Sequence, residues 1–329
     1  MMSIDTRYLE ENVLKAVTLI NSCKAEIGKR IVGQNDMVDG LLMGMIAGGH
    51  VLLEGVPGLA KTLIIKTISE VFDVGFHRIQ FTPDLLPADI VGSMIYRQQT
   101  GEFVPRKGPI FANIVLADEI NRAPAKVQSA LLEAMEEHQV TIGNQSYQLP
   151  EPFFVLATQN PLESEGTYSL PEAQLDRFIL KLVPDYLNEE QELAVLHRVG
   201  VNKNISVKKI LDVNKFEEIK AVAQEILVDE RIERYIVSIV IASREKDRFV
   251  SNYVKYIEHG CSTRATIYLY RCAKIKALFA GRTFVIPDDV KAVVYNVLRH
   301  RIIPSYEAEA EDKKSCDIIE EILKGIPCP

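Results

Sequence analysis

The sequence predicts an α/β fold, in which a parallel sheet is flanked by helices, followed by a smaller, all-helical lid domain. Three observations predict it: strands that are apolar along their whole length, helical patterns between those strands, and helical patterns alone after Pro184. A strand without alternation is typical of a parallel sheet that is covered on both faces. The predicted strands are His50–Glu54, Phe76–Phe81, Asn113–Ala117, Phe153–Thr158 and Phe178–Val183.

The change of pattern places a domain boundary near Asp185–Asn188. We therefore expect one domain over residues 1–187 and a second over residues 188–329. The predicted helices of the second domain are Glu189–Arg198, Lys215–Leu227, Glu230–Arg244, Thr263–Ala280, Pro287–Arg299 and Ser315–Leu323.

Two hairpins are expected to interrupt the first domain. The hairpin near residues 94–106 has Thr100-Gly101 at its turn, and the hairpin near residues 140–149 has Gly143-Asn144 at its turn. Both pairs favour a tight connection between antiparallel strands.

The composition excludes several classes of protein. The chain has 329 residues, 38 Lys and Arg, 45 Asp and Glu, and a net charge of −7, which argues against a protein whose main task is to grip nucleic acid. No apolar stretch is long enough for a membrane helix, and residues 1–11 lack the apolar region of a signal peptide. The five cysteines form no Cys-x-x-Cys pair, which indicates reduced thiols and a cytoplasmic protein.

The strongest chemical motif is Gly55-Val56-Pro57-Gly58-Leu59-Ala60-Lys61-Thr62, which follows a strand and opens a helix. Backbone N–H groups in such a loop point at an anion, the lysine reaches the phosphates, and the threonine hydroxyl binds Mg²⁺. Ala60 stands where glycine usually precedes the lysine, so the loop must accommodate a Cβ there. The alternative is a Gly-Pro turn with a surface lysine. The predicted nucleotide-binding residues are Pro57, Gly58, Leu59, Ala60, Lys61, Thr62 and Leu63.

The second motif is the strand that ends in Asp118 and Glu119. It places both carboxylates at the carboxyl end of a parallel sheet, where ligands bind in open α/β folds. We expect Asp118 to hold Mg²⁺ together with Thr62, and Glu119 to polarise the attacking water. Two solvated acids at a strand end are the alternative, but the combination with the first motif favours a nucleoside-triphosphate site.

A third motif, Thr158-Gln159-Asn160-Pro161, follows the next predicted strand. The amide of Asn160 at this position can orient the water beside the γ-phosphate. An Asn-Pro turn is the alternative.

These segments together resemble the MoxR group of AAA+ ATPases. In addition to the phosphate loop, Ile31-Val32-Gly33-Gln34 resembles the segment that packs on adenine, so Val32 and Gly33 are expected to bind nucleotide. Three longer strings carry the resemblance through the rest of the chain: residues 81–89, 170–178 and 306–311. The match extends from about Ile31 to the C-terminus.

The resemblance implies roles that spacing alone does not give. Arg177 stands at the position of the arginine finger, which is donated in trans to the nucleotide of a neighbouring subunit and stabilises charge there. Arg264 stands at the sensor-2 position, where it would contact the γ-phosphate. The alternatives are a surface arginine paired with Asp176 or Glu172 and, for Arg264, an arginine beside a capping Ser or Thr at a helix start.

The function implied is Mg²⁺-dependent ATP hydrolysis by a homo-oligomeric ring, most simply a hexamer. The resemblance also implies chaperone-like remodelling or maturation of client proteins, von Willebrand factor A domain proteins among them, with the two hairpins contacting the partner. Two alternatives stay open: a nucleic-acid motor of the same clade, and a nucleotide-dependent binding switch without useful turnover. Neither nucleic acid nor membrane insertion is expected.

One further residue beside the phosphate loop draws attention. His50 opens the strand that leads into the loop, and we expect a structural role for it. The histidines and cysteines show no metal-ligand spacing.

Overall fold

The computed structural model describes residues 6–55, 58–161, 166–201, 205–245 and 253–329. The strands are β1 (His50–Glu54), β2 (Phe76–Gln80), β3 (Gly92–Arg97), β4 (Glu102–Lys107), β5 (Ile114–Asp118), β6 (Gln139–Ile142), β7 (Gln145–Gln148), β8 (Phe154–Gln159), β9 (Phe178–Leu182), β10 (Ile257–His259) and β11 (Ile303–Pro304). The α-helices are α1 (Thr6–Arg30), α2 (Asn35–Ile46), α3 (Lys61–Val71), α4 (Pro87–Val91), α5 (Ala125–Glu137), α6 (Glu172–Leu175), α7 (Glu189–Val201), α8 (Val213–Glu225), α9 (Glu230–Ala242), α10 (Thr263–Phe279), α11 (Pro287–Leu298), α12 (Tyr306–Ala310) and α13 (Ser315–Gly325).

The main sheet has five strands in the order β2-β5-β8-β1-β9, and every pair in it is parallel. All five strands therefore begin at one edge, here called the amino edge, and end at the other, here called the carboxyl edge. The three inner strands β1, β5 and β8 are buried almost throughout, which explains why their sequences are apolar without alternation. The predicted α/β fold with a parallel sheet and a helical lid is confirmed.

The two faces of the sheet bury different sets of apolar residues. Val51 and Leu53 point to the face covered by α1, α2 and α3, and they share one apolar core with α8, α9, α10, α11 and α13. Leu52 points to the opposite face, where α4 and α5 supply a second core. Because successive side chains of a strand alternate between faces, three adjacent apolar residues serve both cores.

Two antiparallel pairs leave the sheet where the sequence predicts hairpins, namely β3 with β4 and β6 with β7. In the helical part, β10 and β11 form a short antiparallel pair that the helical periodicity did not predict. Two long helices before the sheet, α1 and α2, were also not predicted. α1 packs against α3, α8 and α10, so it joins the first and last parts of the chain. Among the helices described, none is long and apolar enough to cross a lipid bilayer.

Candidate functional site

A cavity of about 450 Å³ lies at the carboxyl edge, where the segments that follow β1, β5 and β8 meet. It is lined by Gly55, Gly58, Leu59, Ala60, Lys61, Thr62, Leu63, Arg78, Asp118, Glu119, Thr158, Gln159 and Asn160. The three predicted motifs are thus brought together in one cavity. Pro57 lies outside the described residues.

The loop before α3 has two residues in a left-handed backbone conformation, Gly58 and Ala60. Gly58 has a φ of 95°, and Ala60 has a φ of 54° and a ψ of 21°, so the alanine accepts the left-handed conformation that glycine favours. α3 begins at Lys61, and no side chain caps its first turn. Its first backbone N–H groups therefore remain available to an anion, as at other helix N-termini that bind phosphate.

Lys61 is half-buried at the floor of this loop. Its Nζ donates a hydrogen bond to the carbonyl oxygen of Gly55. Burial lowers the pKa of Lys61, while the charges of Asp118 and Glu119 raise it. The ammonium group is partly desolvated and lies near two carboxylates. It can therefore replace its hydrogen bond to the Gly55 carbonyl with hydrogen bonds to phosphate oxygens.

Both carboxylate oxygens of Asp118 are engaged. Thr158 Oγ1 donates to Oδ1 at 2.6 Å, and Arg78 donates to Oδ2 from Nη2 at 2.6 Å and from Nε at 3.1 Å. The threonine is almost fully buried and fixes the rotamer of the aspartate. The arginine is half-exposed and comes from the edge strand β2.

Glu119 is held in a left-handed backbone conformation with a φ of 58°. Its N–H donates to Thr158 Oγ1 at 2.9 Å, and its Oε2 accepts from Gln80 Nε2 at 2.8 Å. Arg122 Nε lies 3.2 Å from the same carboxylate oxygen. Glu119 lines the cavity, and non-glycine residues in this backbone conformation cluster at functional sites.

The remaining predicted residues complete the cavity wall. Asn160 is buried at the end of β8, and the N–H of Gly55 donates to the carbonyl oxygen of Gln159 at 3.2 Å, which ties the phosphate loop to this strand. Thr62 is half-buried in the first turn of α3, and Leu63 is 43% exposed.

The donor set at this edge fits Mg²⁺. Asp118 offers a carboxylate and Thr62 a hydroxyl in the same cavity. The described part of the chain holds no group of three or more His, Cys, Asp or Glu residues that could bind a metal by themselves. Magnesium commonly binds through one or two protein oxygens together with phosphate oxygens and water, so two protein donors beside a phosphate loop suit it.

A second cavity of about 620 Å³ lies beside the phosphate loop and is lined by Gly33 and Pro184 among others. Pro184 Cγ is 3.1 Å from the position that a Cβ on Gly55 would occupy, so the two cavities are neighbours. Gly33 has a φ of 73°, in the left-handed region, so this position favours glycine. Val32 is half-buried next to it.

Arg177 and Arg264 lie at the other edge of the sheet. Arg177 immediately precedes β9, and its Nη1 donates to the carbonyl oxygen of Leu132 at 3.2 Å and contacts Glu136 Oε2. Arg264 lies in the first turn of α10, and its Nη2 donates to Glu136 Oε1. Glu136 is in the last turn of α5, so one carboxylate joins the two arginines. Arg177 thus pairs with Glu136, which is distant in the sequence, and not with its sequence neighbours Asp176 or Glu172.

Asp176 fastens the same edge to the helical part. Its carboxylate accepts from Arg301 Nε at 2.8 Å and from Ser262 Oγ at 2.8 Å, and Arg264 Nη1 lies 3.6 Å away. Arg301 also donates from Nη2 to the carbonyl oxygen of Asp176 at 2.9 Å. Ser262 caps α10, because its Oγ accepts from the N–H of Arg264 at 3.1 Å.

The structure does not bring Arg264 to the phosphate loop of its own chain. Lys61 follows the end of β1 and Arg177 precedes the start of the neighbouring parallel strand β9, so the two lie on opposite sides of strands that span about 16 Å. Arg264 lies with Arg177. Arg264 therefore does not line the cavity that holds Lys61, and its contact with a γ-phosphate stays a prediction.

His50 has the structural role expected of it. Its Nδ1 accepts from the N–H of Val155 at 3.1 Å, which leaves Nε2 to donate to the carbonyl oxygen of Met135 at 2.9 Å. Burial lowers its pKa to about 4, so the ring is neutral. The contact fixes the end of α5 directly before Glu136.

Three site residues were missed from the sequence: Arg78, Gln80 and Glu136. A usable signal existed for the first two, because polar residues alternate along the predicted strand β2, and in the parallel register Gln80 faces Asp118. Nothing in the spacing of Glu136 relates it to Arg177 or Arg264, and only the fold, which places the end of α5 beside the start of α10, brings them together.

The comparisons with known proteins agree with this geometry. Residues 50–180 match the model of the ATPase family associated with various cellular activities (AAA), and residues 254–322 match the AAA lid domain. Chaperone MoxR1 of Mycobacterium tuberculosis is 45% identical over 92% of this chain and 81% of its own length, and the protein YeaC of Bacillus subtilis is 42% identical over 94% and 95%. A crystal structure of a Cytophaga hutchinsonii protein assigned as an ATPase is 50% identical, covers 99% of this chain, and superposes with a TM-score of 0.92 over all of that chain.

Proposed function

Because this chain belongs to the MoxR family of AAA+ ATPases, we propose that it hydrolyses ATP with Mg²⁺ and uses the energy to remodel or mature other proteins. The observation that carries the proposal is the single cavity that holds Lys61, Asp118, Glu119 and Asn160 beside the uncapped N-terminus of α3. A positive lysine, two carboxylates and an amide around one helix N-terminus match the requirements of phosphoryl transfer to water.

Each residue of the cavity has a separate role in the proposed hydrolysis. The N–H groups from Gly58 to Thr62 and the ammonium of Lys61 bind the phosphates. Thr62 and Asp118 hold Mg²⁺, which neutralises charge on the phosphate oxygens when bound. Asn160 orients the water and Glu119 accepts a hydrogen bond from it; the water oxygen forms the new bond to the γ-phosphorus while the bond to the β–γ bridging oxygen breaks. The proton of the water passes to the carboxylate of Glu119, and ADP is the leaving group.

The second cavity fits the base and ribose of the nucleotide. It adjoins the phosphate loop through Pro184 and Gly55, and it includes Gly33. We propose that Val32 and Gly33 pack on adenine there. The boundary proposed between residues 1–187 and 188–329 runs through the same cavity wall.

We propose that each site is completed by a second copy of the chain. Arg177 lies at the opposite edge of the sheet from Lys61, so it can reach a nucleotide only on a neighbouring subunit. Because Arg264 lies with Arg177, we propose that it too serves the neighbour's nucleotide. Contacts between unlike faces close into rings when the rotation permits, and a hexamer is the ring we propose.

The partner surface we propose is the hairpin of β3 and β4. It presents four large apolar residues to solvent, namely Met94 (39% exposed), Ile95 (38%), Tyr96 (56%) and Phe103 (66%). Exposed apolar patches mark interaction surfaces more often than chance. Client proteins, including von Willebrand factor A domain proteins, are the partners proposed, and the cytoplasm is the location proposed because all five cysteines are free thiols.

The test is release of phosphate from ATP as a function of protein concentration and Mg²⁺. We expect turnover that requires Mg²⁺ and rises more steeply than linearly with protein concentration, because a site needs two chains. Lys61→Ala should abolish it, whereas Lys66→Ala, an exposed position on the same helix, should leave it unchanged. A wild-type chain that binds ATP but releases no phosphate at any concentration would overturn the proposal in favour of a binding switch.

A further inference from the structure

We propose that Glu136 is a positioning residue that holds Arg177 and Arg264 together as one phosphate-binding pair for the neighbouring subunit. The proposal rests on the proposed function and adds to it a residue that acts through the two arginines and not on the nucleotide or the attacking water. In this proposal the two arginines act together because one carboxylate holds both of them.

The carboxylate of Glu136 is divided between the two arginines. Oε2 pairs with Nη1 of Arg177, and Oε1 accepts from Nη2 of Arg264. Two guanidinium groups repel each other unless an anion lies between them, and Glu136 supplies that anion. Asp176 adds a second negative charge 3.6 Å from Arg264 Nη1, and Glu136 is the carboxylate that contacts both arginines.

The contacts leave the arginines able to bind a phosphate. The Nη1 end of Arg177 is fixed by Glu136 and by the carbonyl oxygen of Leu132, so its Nε and Nη2 edge can form a fork toward a ligand. The side chains of Arg177, Glu136 and Arg264 are 32%, 39% and 39% exposed. An ion pair this accessible adds little stability by itself, so stability does not account for the arrangement.

The pair exists only when the helical part is docked on the sheet. Arg264 belongs to α10, Glu136 to α5, and Arg177 to the segment before β9. Asp176 supports the same meeting point, because it binds Ser262 at the start of α10 and the buried Arg301. The joining of Arg264 to Arg177 through Glu136 therefore depends on the position of the lid.

The proposal predicts that Glu136→Gln lowers turnover and spares ATP binding. Glutamine keeps the shape of the side chain but loses the charge that holds two cations. We expect turnover at saturating ATP to fall by about 10- to 100-fold, as misplaced catalytic groups cause. Binding of a fluorescent ATP analogue to the dilute subunit should be unchanged, because its own phosphate loop lies at the other edge. Glu137→Gln, which removes the same charge from the next, exposed residue, should retain wild-type turnover.

A mixing experiment separates positioning from damage to the fold. A Glu136→Gln chain keeps an intact nucleotide site and presents misplaced arginines, whereas a Glu119→Gln chain keeps intact arginines and cannot activate water. Mixed rings should regain turnover, because the intact arginines of one chain face the intact site of the other. Mixing Glu136→Gln with Arg177→Ala should give no recovery, since both are defective in the same half of the site.

The outcomes distinguish this inference from the proposed function. If Glu119→Gln and Arg177→Ala are inactive while Glu136→Gln matches Glu137→Gln and wild type, the inference fails and the proposed function stands. Loss of activity in Glu136→Gln without recovery in the mixture, or with weakened ATP binding, would equally overturn the positioning role. If the wild-type chain shows no turnover, the proposed function itself fails.

Discussion

Arg177 and Arg264 share one carboxylate, that of Glu136, although one arginine precedes a strand of the sheet and the other opens a helix of the lid. Their meeting point is the amino edge of the sheet, and the phosphate loop is at the carboxyl edge. In the function proposed above, the two arginines therefore serve one nucleotide, which is bound by a neighbouring chain.

The first prediction concerns which chain Arg264 serves. Arg264→Ala mixed with Glu119→Gln should regain turnover, because the altered chain keeps an intact nucleotide site and borrows intact arginines from its neighbour. Phosphate release measured across mixing ratios checks this. An arginine that acts on its own nucleotide would give the reverse pattern, with recovery on mixing with Arg177→Ala and none with Glu119→Gln.

The second prediction concerns Mg²⁺ and Arg78. The guanidinium of Arg78 occupies Oδ2 of Asp118, so a metal ion that binds this carboxylate must compete with it. Arg78→Gln should lower the Mg²⁺ concentration for half-maximal ATP binding by about two- to fivefold, the range of a half-exposed ion pair. A Mg²⁺ titration of nucleotide binding by calorimetry measures the midpoint. Arg97→Gln, on the exposed hairpin, is the matched control, and an unchanged or higher midpoint in Arg78→Gln would contradict the competition.

The third prediction separates binding from hydrolysis at Glu119. Glu119→Gln should bind ATP as tightly as wild type and lose nearly all turnover, by about 10²-fold or more, because the amide cannot accept the proton of the water. Its hydrogen bond with Gln80 can survive through the amide oxygen. Single-turnover hydrolysis and equilibrium binding, measured on the same sample, check both halves; turnover equal to wild type would remove Glu119 from the mechanism.

The fourth prediction is a loss of stability in mild acid. Burial lowers the pKa of His50 to about 4 and lowers the pKa of His300 well below its usual value. In the unfolded chain both rings bind protons near pH 6.5, so between about pH 6.5 and 4 the unfolded state binds more protons than the folded state. The free energy of unfolding should therefore fall as the pH falls, by at most about 1.4 kcal/mol per pH unit for each histidine.

Urea unfolding at about pH 7, 6 and 5 measures this slope. His50→Gln should be less stable near neutral pH and should show a shallower decline in acid, because one of the two buried rings is gone. The ring centroids of His138 and His50 are 6.0 Å apart. The charge of His138 lowers the pKa of His50 further, and the charge of Glu151 raises it. A slope in His50→Gln as steep as that of wild type would assign the acid sensitivity to other groups.

The sequence was sufficient to predict the strands of the main sheet and the motifs that meet at its carboxyl edge. Apolar strands without alternation located β1, β5, β8 and β9 to within a residue or two, and the motif spacing located Lys61, because these features are local in the chain. α1 was missed, and the helices that it packs against, α3, α8 and α10, come from distant parts of the chain. The ion pairs of Arg78 and Glu136 depend on packing between distant segments, which no local pattern records.

The placement of Arg264 illustrates the same limit. A family role assigned to a position says which group the side chain binds, but not which subunit supplies that group. That distinction depends on where the lid docks, and here Asp176 and Arg301 dock it at the amino edge.

The parallel sheet has a numerical consequence for an assembly of this chain. Every strand of the main sheet has the same direction, so in the proposed assembly each chain has one end that holds nucleotide and one end that carries the arginines. An open row of n copies then contains n − 1 complete sites, and only closure supplies the last one. Turnover per chain should accordingly be higher in a closed ring than in an open row. One inactive copy should abolish turnover at no more than the two sites that it shares with its neighbours.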